Sequence, residues 1–192
     1  MDKESIRQDI LRKRDGLSQD EVAERSEAIR KRFLRTSFYR RADTILFYFP
    51  KGKEVDTAPM IRQAMAEGKT VVLPITEPST KALRLCAVKD LDADLIMGRY
   101  GIKEPSPARC RQLALDGIGL IVAPAVAVDE RGNRLGYGLG YYDRLLAAYK
   151  GRTAAVVYDF QVLERIPAES HDIPIGNIVT ESRTVACRKL NK

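Results

Sequence analysis

Four short apolar runs recur along this 192-residue chain: TILFYF at 44–49, TVVL at 70–73, IGLIV at 118–122 and TAAVV at 153–157. Runs like these have no polar face, so a strand made from one must be covered on both sides. Helical spacing appears at 57–67, ended by Gly68, and again at 141–149. Strands alternating with helices predict an α/β fold with a largely parallel sheet. A weaker strand is expected at 83–88 and a final pair at 177–180 and 184–187. Pro74 and Pro124 are expected to end the strands before them, leaving 98–109 and 123–140 as loops. No repeat or linker divides the chain, so 1–192 is expected to be a single domain. In open sheets of this kind ligands bind beyond the carboxyl ends of the strands, which points to the loops after Phe49, Leu73, Val122 and Val157.

Two helices precede the sheet. The first is expected at 3–15, with Ile6 and Ile10 on one face, and Gly16 ends it. Ser18 followed by Glu21 is a capping box, and Leu17 with Val22 can staple the same turn. The second helix is expected to run to about Leu34, with Val22, Ser26, Ile29 and Phe33 along one stripe. Both are expected to pack on the core as a basic pair. Residues 1–41 hold 12 Lys or Arg against 8 Asp or Glu, which is +4 of the net +7. Such an excess attracts polyanions, although on charge alone a solvated helical face is the preferred reading.

No run approaches the about 18 apolar residues of a membrane span. The charged N-terminus does not resemble a secretory signal, so the chain is expected to be cytoplasmic. Cys86, Cys110 and Cys187 are an odd, scattered set, which argues against a disulfide framework or a zinc knuckle and fits a reducing compartment. The single histidine, His171, excludes mechanisms that need two.

The richest segment is Gly136-Tyr137-Gly138-Leu139-Gly140-Tyr141-Tyr142-Asp143-Arg144. Alternate glycines let the backbone approach a ligand closely, and the helix expected near Tyr141 adds partial positive charge at its start. Together they suggest an anion cradle for phosphates. Tyr141 excludes the dinucleotide pattern GxGxxG, and Gln63 excludes a P-loop at Gly68-Lys69-Thr70. Beside such a cradle, Asp143 reads as a magnesium ligand. Arg131 and Arg134 are equal candidates for a phosphoryl partner, and spacing does not choose between them. Asp172 reads more simply as a turn residue, and Glu54 as a charge at a helix start.

The run LGYGLGYYDR at 135–144, preceded by APAVAVDERGNR at 123–134, resembles the signature of the 5-formyltetrahydrofolate cyclo-ligase family. Lys3, Arg7, Leu17-Ser18, the segments 52–57 and 100–105, His171-Asp172 and 179–181 match it in order. Leu139 departs from the glycine usual in bacterial members. The resemblance implies a Rossmann-like three-layer sandwich. It implies cyclisation of 5-formyltetrahydrofolate to 5,10-methenyltetrahydrofolate with ATP and Mg2+. It assigns Lys3, Arg7, Arg134 and residues 136–142 (Gly136, Tyr137, Gly138, Leu139, Gly140, Tyr141, Tyr142) to ATP. Phe49, Glu54 and Tyr137 to Tyr141 fall to the folate, and Asp143 and Asp172 to magnesium. Arg134 and Tyr142 are the candidate catalytic residues. The folate is expected to carry a polyglutamate tail in some cases, and the enzyme to be a monomer without nucleic-acid or membrane partners. Two other classes are a small-molecule kinase with the same cradle and a nucleic-acid-binding module using the basic helices.

Overall fold

The computed structural model describes residues 2–169 and 172–187; His171 lies outside the described residues. The helices are α1 (Lys3–Asp15), α2 (Gln19–Leu34), α3 (Ser37–Arg40), α4 (Ala58–Ala66) and α5 (Tyr141–Ala148). The first strands are β1 (Thr44–Leu46), β2 (Thr70–Glu77), β3 (Ala82–Val88), β4 (Leu95–Met97), β5 (Lys103–Pro105) and β6 (Arg111–Gln112). They are followed by β7 (Leu120–Val122), β8 (Ala127–Asp129), β9 (Arg134–Leu135), β10 (Arg152–Val156), β11 (Val162–Leu163), β12 (Asn177–Val179) and β13 (Thr184–Ala186).

The main sheet has the order β13-β12-β10-β7-β1-β2-β3-β6. Its centre, β2-β1-β7-β10-β12, is parallel throughout, and antiparallel β13 and β3-β6 complete the two edges. Alternation along each central strand divides the core in two. Ile45, Phe47, Leu120, Val122 and Val156 pack with Ile29, Phe33, Met60 and Ile61 on the face of α2 and α4. Leu46, Val72, Ile121, Ala155 and Val157 pack with Leu146 of α5 on the other face. Three layers follow from period-2 strands whose two faces are both apolar.

The first two helices end where expected. Ser18 Oγ accepts from the Glu21 N–H at 3.1 Å, and Glu21 Oε2 accepts from the Ser18 N–H at 2.7 Å. Val22, Ser26, Ile29 and Phe33 are the buried residues of α2. The two helices do not share a surface, however. While α2 covers the main sheet, Ile6 and Ile10 of α1 pack on Val126, Ala127, Leu135 and Ile166. Those contacts belong to a separate small sheet, β11-β8-β9.

Several boundaries differ from expectation. Pro74 does not end β2; it pairs with Leu85 of β3. The carbonyl of Val72 accepts from Phe47, so residues 70, 72 and 74 turn their polar groups toward β1, which stops at Leu46. The missing Pro74 N–H therefore removes no ladder bond. The expected loop at 98–109 contains β5, which folds back on β4 as a hairpin. The expected loop at 123–140 contains β8 and β9, joined through a turn that Asp129 holds. Its Oδ1 accepts from the Arg131 and Asn133 N–H groups, each at 3.0 Å. Cys86 and Cys110, expected to be unpaired thiols, form a disulfide with Cα atoms 5.1 Å apart, and Cys187 is free. Pairing of Cys86 with Gln112 across β3 and β6 brings the two cysteines together, and linear spacing does not reveal it.

Ser18→Ala leaves the Glu21 N–H without its side-chain acceptor and is expected to cost about 1 kcal/mol. The check is a lower urea midpoint with an unchanged slope.

Candidate active site

A cavity of about 810 Å3 opens at the carboxyl ends of the central strands. It collects residues from separated parts of the chain: α1, the segment after β1, the β2-β3 hairpin, the β4-β5 hairpin, Pro124, the stretch from Arg134 into α5, and Glu169 with Asp172. The site residues that the resemblance implies all line it: Lys3, Arg7, Phe49, Glu54, Arg134, Gly136 to Asp143, and Asp172. A second groove of about 540 Å3, lined by Lys31, Arg32 and Arg35, lies where β12 begins at Asn177, so it faces the opposite end of the sheet.

Local conformation explains the glycine segment. Gly138 and Gly140 have φ of 89° and 74°, a region that side chains resist. Gly140 is the N-cap of α5, so the first N–H groups of that helix begin directly behind the loop. A Cβ at Gly136 would stand 2.9 Å from Arg134 Nη1. Arg7 Nε donates to the Gly136 carbonyl at 3.0 Å, which fastens α1 to the loop.

Arg134 and Lys3 of the cavity are paired with carboxylates of the protein. Arg134 Nη2 donates to Asp143 Oδ1 at 2.6 Å and Nη1 to the Pro124 carbonyl at 3.0 Å. The guanidinium carbon lies 5.8 Å from the Tyr142 ring centre, and Nε has no hydrogen-bond partner. Arg131 is exposed and does not line the cavity, so the fold separates two arginines that spacing could not. Lys3 Nζ lies 2.7 Å from Asp172 Oδ2 and 2.9 Å from Glu169 Oε1. Burial pulls the Lys3 ammonium down, but the hydrogen bonds from Asp172 and Glu169 outweigh it and leave its pKa raised. The Tyr142 hydroxyl is buried without a hydrogen-bond partner, and burial pushes its pKa up.

Glu54, 7% exposed, also lines the cavity. Its Oε1 accepts from the Tyr137 hydroxyl at 2.5 Å and its Oε2 from the Lys51 N–H at 2.8 Å. Burial pushes its carboxyl above the usual range, and Tyr137, Arg14 and Lys51 pull it back without cancelling the rise. The ring of Tyr137 is 41% exposed, yet its hydroxyl turns inward to Arg14 and Glu54.

Sequence reasoning missed several lining groups. Glu104 is buried on the hairpin and hydrogen-bonded by the Thr76 hydroxyl. Lys103 Nζ stands 5.9 Å from the Phe49 ring centre. Lys81 and Arg144 lie at the cavity together, Arg144 Nη1 donating to the Lys81 carbonyl at 3.4 Å. The segment at 100–105 stood out only through its resemblance. Nothing in its composition distinguishes a buried Glu104 from a solvated one.

The family model described as "5-formyltetrahydrofolate cyclo-ligase family" matches residues 1–181. This chain belongs to the 5-formyltetrahydrofolate cyclo-ligase family. Membership makes it an enzyme of the ligase class concerned with folate one-carbon metabolism. A 5-formyltetrahydrofolate cyclo-ligase of Escherichia coli K12 is 32% identical over 177 residues, covering 91% of this chain and 97% of the relative. One from Haemophilus influenzae is 29% identical over 180 residues, covering 92% and 96%. The NMR structure of Aquifex aeolicus 5,10-methenyltetrahydrofolate synthetase superimposes with a TM-score of 0.87 at 33% identity, covering 100% of this chain and 96% of that one. Among the described residues no helix is long and apolar enough to cross a membrane.

Arg134→Met strips Asp143 and the Pro124 carbonyl of a buried charged donor and is expected to cost about 1–3 kcal/mol. Arg131→Met, on the exposed turn, is expected to stay within about 0.5 kcal/mol. Denaturant unfolding of the two variants checks the contrast.

Proposed function

We propose that the chain catalyses the ATP- and Mg2+-dependent cyclisation of 5-formyltetrahydrofolate to 5,10-methenyltetrahydrofolate, releasing ADP and phosphate. The observation that carries this reading is one cavity whose lining combines two unlike sets of groups. The glycine segment, the start of α5, Lys3, Arg7 and Arg134 form a cationic set suited to phosphates. The buried Glu54, aligned by Tyr137 and Lys51, is an acceptor suited to the donor edge of a pterin. Phe49 and Tyr141 supply flat apolar surface beside it.

The chemistry follows from the substrate. A formamide carbon is a poor electrophile and its oxygen a poor leaving group. The formyl oxygen attacks the γ-phosphorus, the bond from that phosphorus to the β–γ bridging oxygen breaks, and ADP departs. The 10-nitrogen then bonds to the activated carbon and loses its proton. Phosphate leaves with the former formyl oxygen, and the methenyl bridge remains. Phosphoryl transfer needs alignment and charge neutralisation more than a protein nucleophile. That matches a cavity of arginines, lysine and backbone N–H groups without a histidine pair. Arg134 and Tyr142 stand where α5 begins and act on the phosphoryl being moved, Arg134 through its fork of donors.

Asp143 and Asp172 would hold the magnesium ion. Both line the cavity beside the cations, and both offer hard oxygen donors. Among the described residues no three His, Cys, Asp or Glu side chains are grouped to hold a metal alone. That suits an ion completed by phosphate oxygens and water, as magnesium commonly is. When bound, it spreads the negative charge of the phosphates.

The enzyme is read as a monomer. ATP as co-substrate suits the cytoplasm. Lys81 and Arg144 at the cavity give a polyglutamate tail cations to meet, and the folate KM is expected to fall as glutamates are added.

The deciding experiment follows the near-ultraviolet band of the methenyl product with purified protein. The band should grow only when ATP and magnesium are both present. Asp143→Asn is expected to slow it by more than about 100-fold, the upper end of what loss of an outer-sphere partner costs. Absence of the band with folate and ATP both bound would refute the reaction. Glu54→Gln removes a charged acceptor worth about 1.5–3 kcal/mol, so the folate KM should rise about tenfold to a hundredfold with little change for ATP. Because the Glu54 carboxyl titrates above the usual range, the wild-type folate KM should rise as pH falls through that raised value. The Gln variant should lose this pH dependence.

A further inference from the structure

Arg14 lies in the last turn of α1 and is 5% exposed. Tyr137 and Glu54 line the cavity, and Arg14 touches both from the protein side. Its Nη2 donates to the Tyr137 hydroxyl at 2.7 Å, and that hydroxyl donates in turn to Glu54 Oε1 at 2.5 Å. Its Nη1 stands 3.8 Å from the same Glu54 oxygen, outside hydrogen-bond reach. Neither Nη1 nor Nε has a hydrogen-bond partner, and the guanidinium carbon is 5.6 Å from the Tyr137 ring centre.

A guanidinium keeps its charge in any protein setting, and a buried charge is costly unless an opposite charge answers it. Glu54 is the carboxylate that answers this one. The groups facing Glu54 are Arg14 from α1, Tyr48 and Lys51 after β1, Tyr137 from the glycine segment and Tyr142 from α5. Of these, Arg14 and Lys51 are cations, and the Lys51 side chain is exposed, where water and salt screen it. Arg14 is thus the unscreened positive charge that opposes the desolvation of Glu54. It also supplies the donor that turns the Tyr137 hydroxyl toward Glu54, since a phenol that accepts from Arg14 has its own proton left to give.

We propose that Arg14 is a positioning residue that holds the Glu54–Tyr137 pair in the form the substrate meets, Glu54 as an anion and the Tyr137 proton directed onto it. The functional consequence rests on the reading of Glu54 as the folate-binding carboxylate. Arg14 itself touches no substrate; it acts through its two neighbours.

The test uses full-length protein labelled with 13C at the glutamate carboxyls, with the Glu54 resonance assigned by its loss in Glu54→Gln. In Arg14→Met the Glu54 titration midpoint should rise by at least about one unit, as loss of a nearby opposite charge requires. Arg14→Lys should bring it back toward the wild-type value. Kinetically, Arg14→Met should raise the folate KM at least about tenfold, more at pH 6 than at pH 8, with the ATP KM within about twofold. Added to Glu54→Gln, it should change the folate KM by less than about twofold, because both changes remove one coupled unit. An unmoved Glu54 midpoint overturns the proposal, as do effects of the two substitutions that simply multiply. A shifted midpoint in Arg14→Met with an unchanged folate KM in Glu54→Gln upholds the coupling and refutes the folate role of Glu54. If Arg14→Met does not fold, Arg14→Gln removes the charge while keeping a donor, and the same midpoint shift is required of it.

Discussion

The docking of α1 on the small sheet is the contact on which the site depends. Ile6 and Ile10 are the buried apolar residues of that helix, and they meet Val126, Leu135 and Ile166. The rest of α1 is largely charged, so this narrow stripe fixes its rotation. Once it is fixed, Lys3 meets Glu169 and Asp172, Arg7 meets Gly136 and Arg14 meets Tyr137, at three heights along one helix. If the stripe were shifted by one residue, all three cations would turn away together. The helix is therefore part of the site and not an appendage to it.

The charges of the cavity are arranged by pairing. Arg134 meets Asp143, Lys3 meets Asp172 and Glu169, and Arg14 meets Glu54. Each pair keeps a partly buried ion compensated. The pairs differ in tightness. Arg134 has a direct hydrogen bond of 2.6 Å, whereas Arg14 reaches Glu54 through the Tyr137 hydroxyl. A phosphate can compete with Asp143 for an arginine that is already aimed. Glu54 faces the cavity with its cation behind it.

Much of this was legible in the chain. The apolar runs located the parallel strands because a strand covered on both faces has no polar alternation to disguise it. The Ser18–Glu21 box and Gly16 placed the helix ends because caps are local chemistry. The glycine segment was legible for the same reason, since φ of 89° and 74° at Gly138 and Gly140 needs glycine wherever the loop lies. Other elements depended on neighbours. Pro74 sits inside β2 because β1 ends beside it. Lys103–Pro105 forms a strand because Leu95–Met97 is there to pair with it. Cys86 and Cys110 meet because β6 closes on β3.

The sequence by itself determined the layer pattern, the helix caps and the glycine loop ahead of α5, since each is written in residues within about one helical turn or one strand of one another. Only the tertiary structure decided which arginine enters the cavity, that Glu104 is buried there, and that Arg14 stands behind Glu54 and Tyr137. The last of these joins residues 83 to 123 positions apart, and Glu104 meets a hydroxyl 28 positions away. Their proximity comes from the packing of α1 and the parallel order of the sheet, and a linear pattern carries no record of a distance that packing creates.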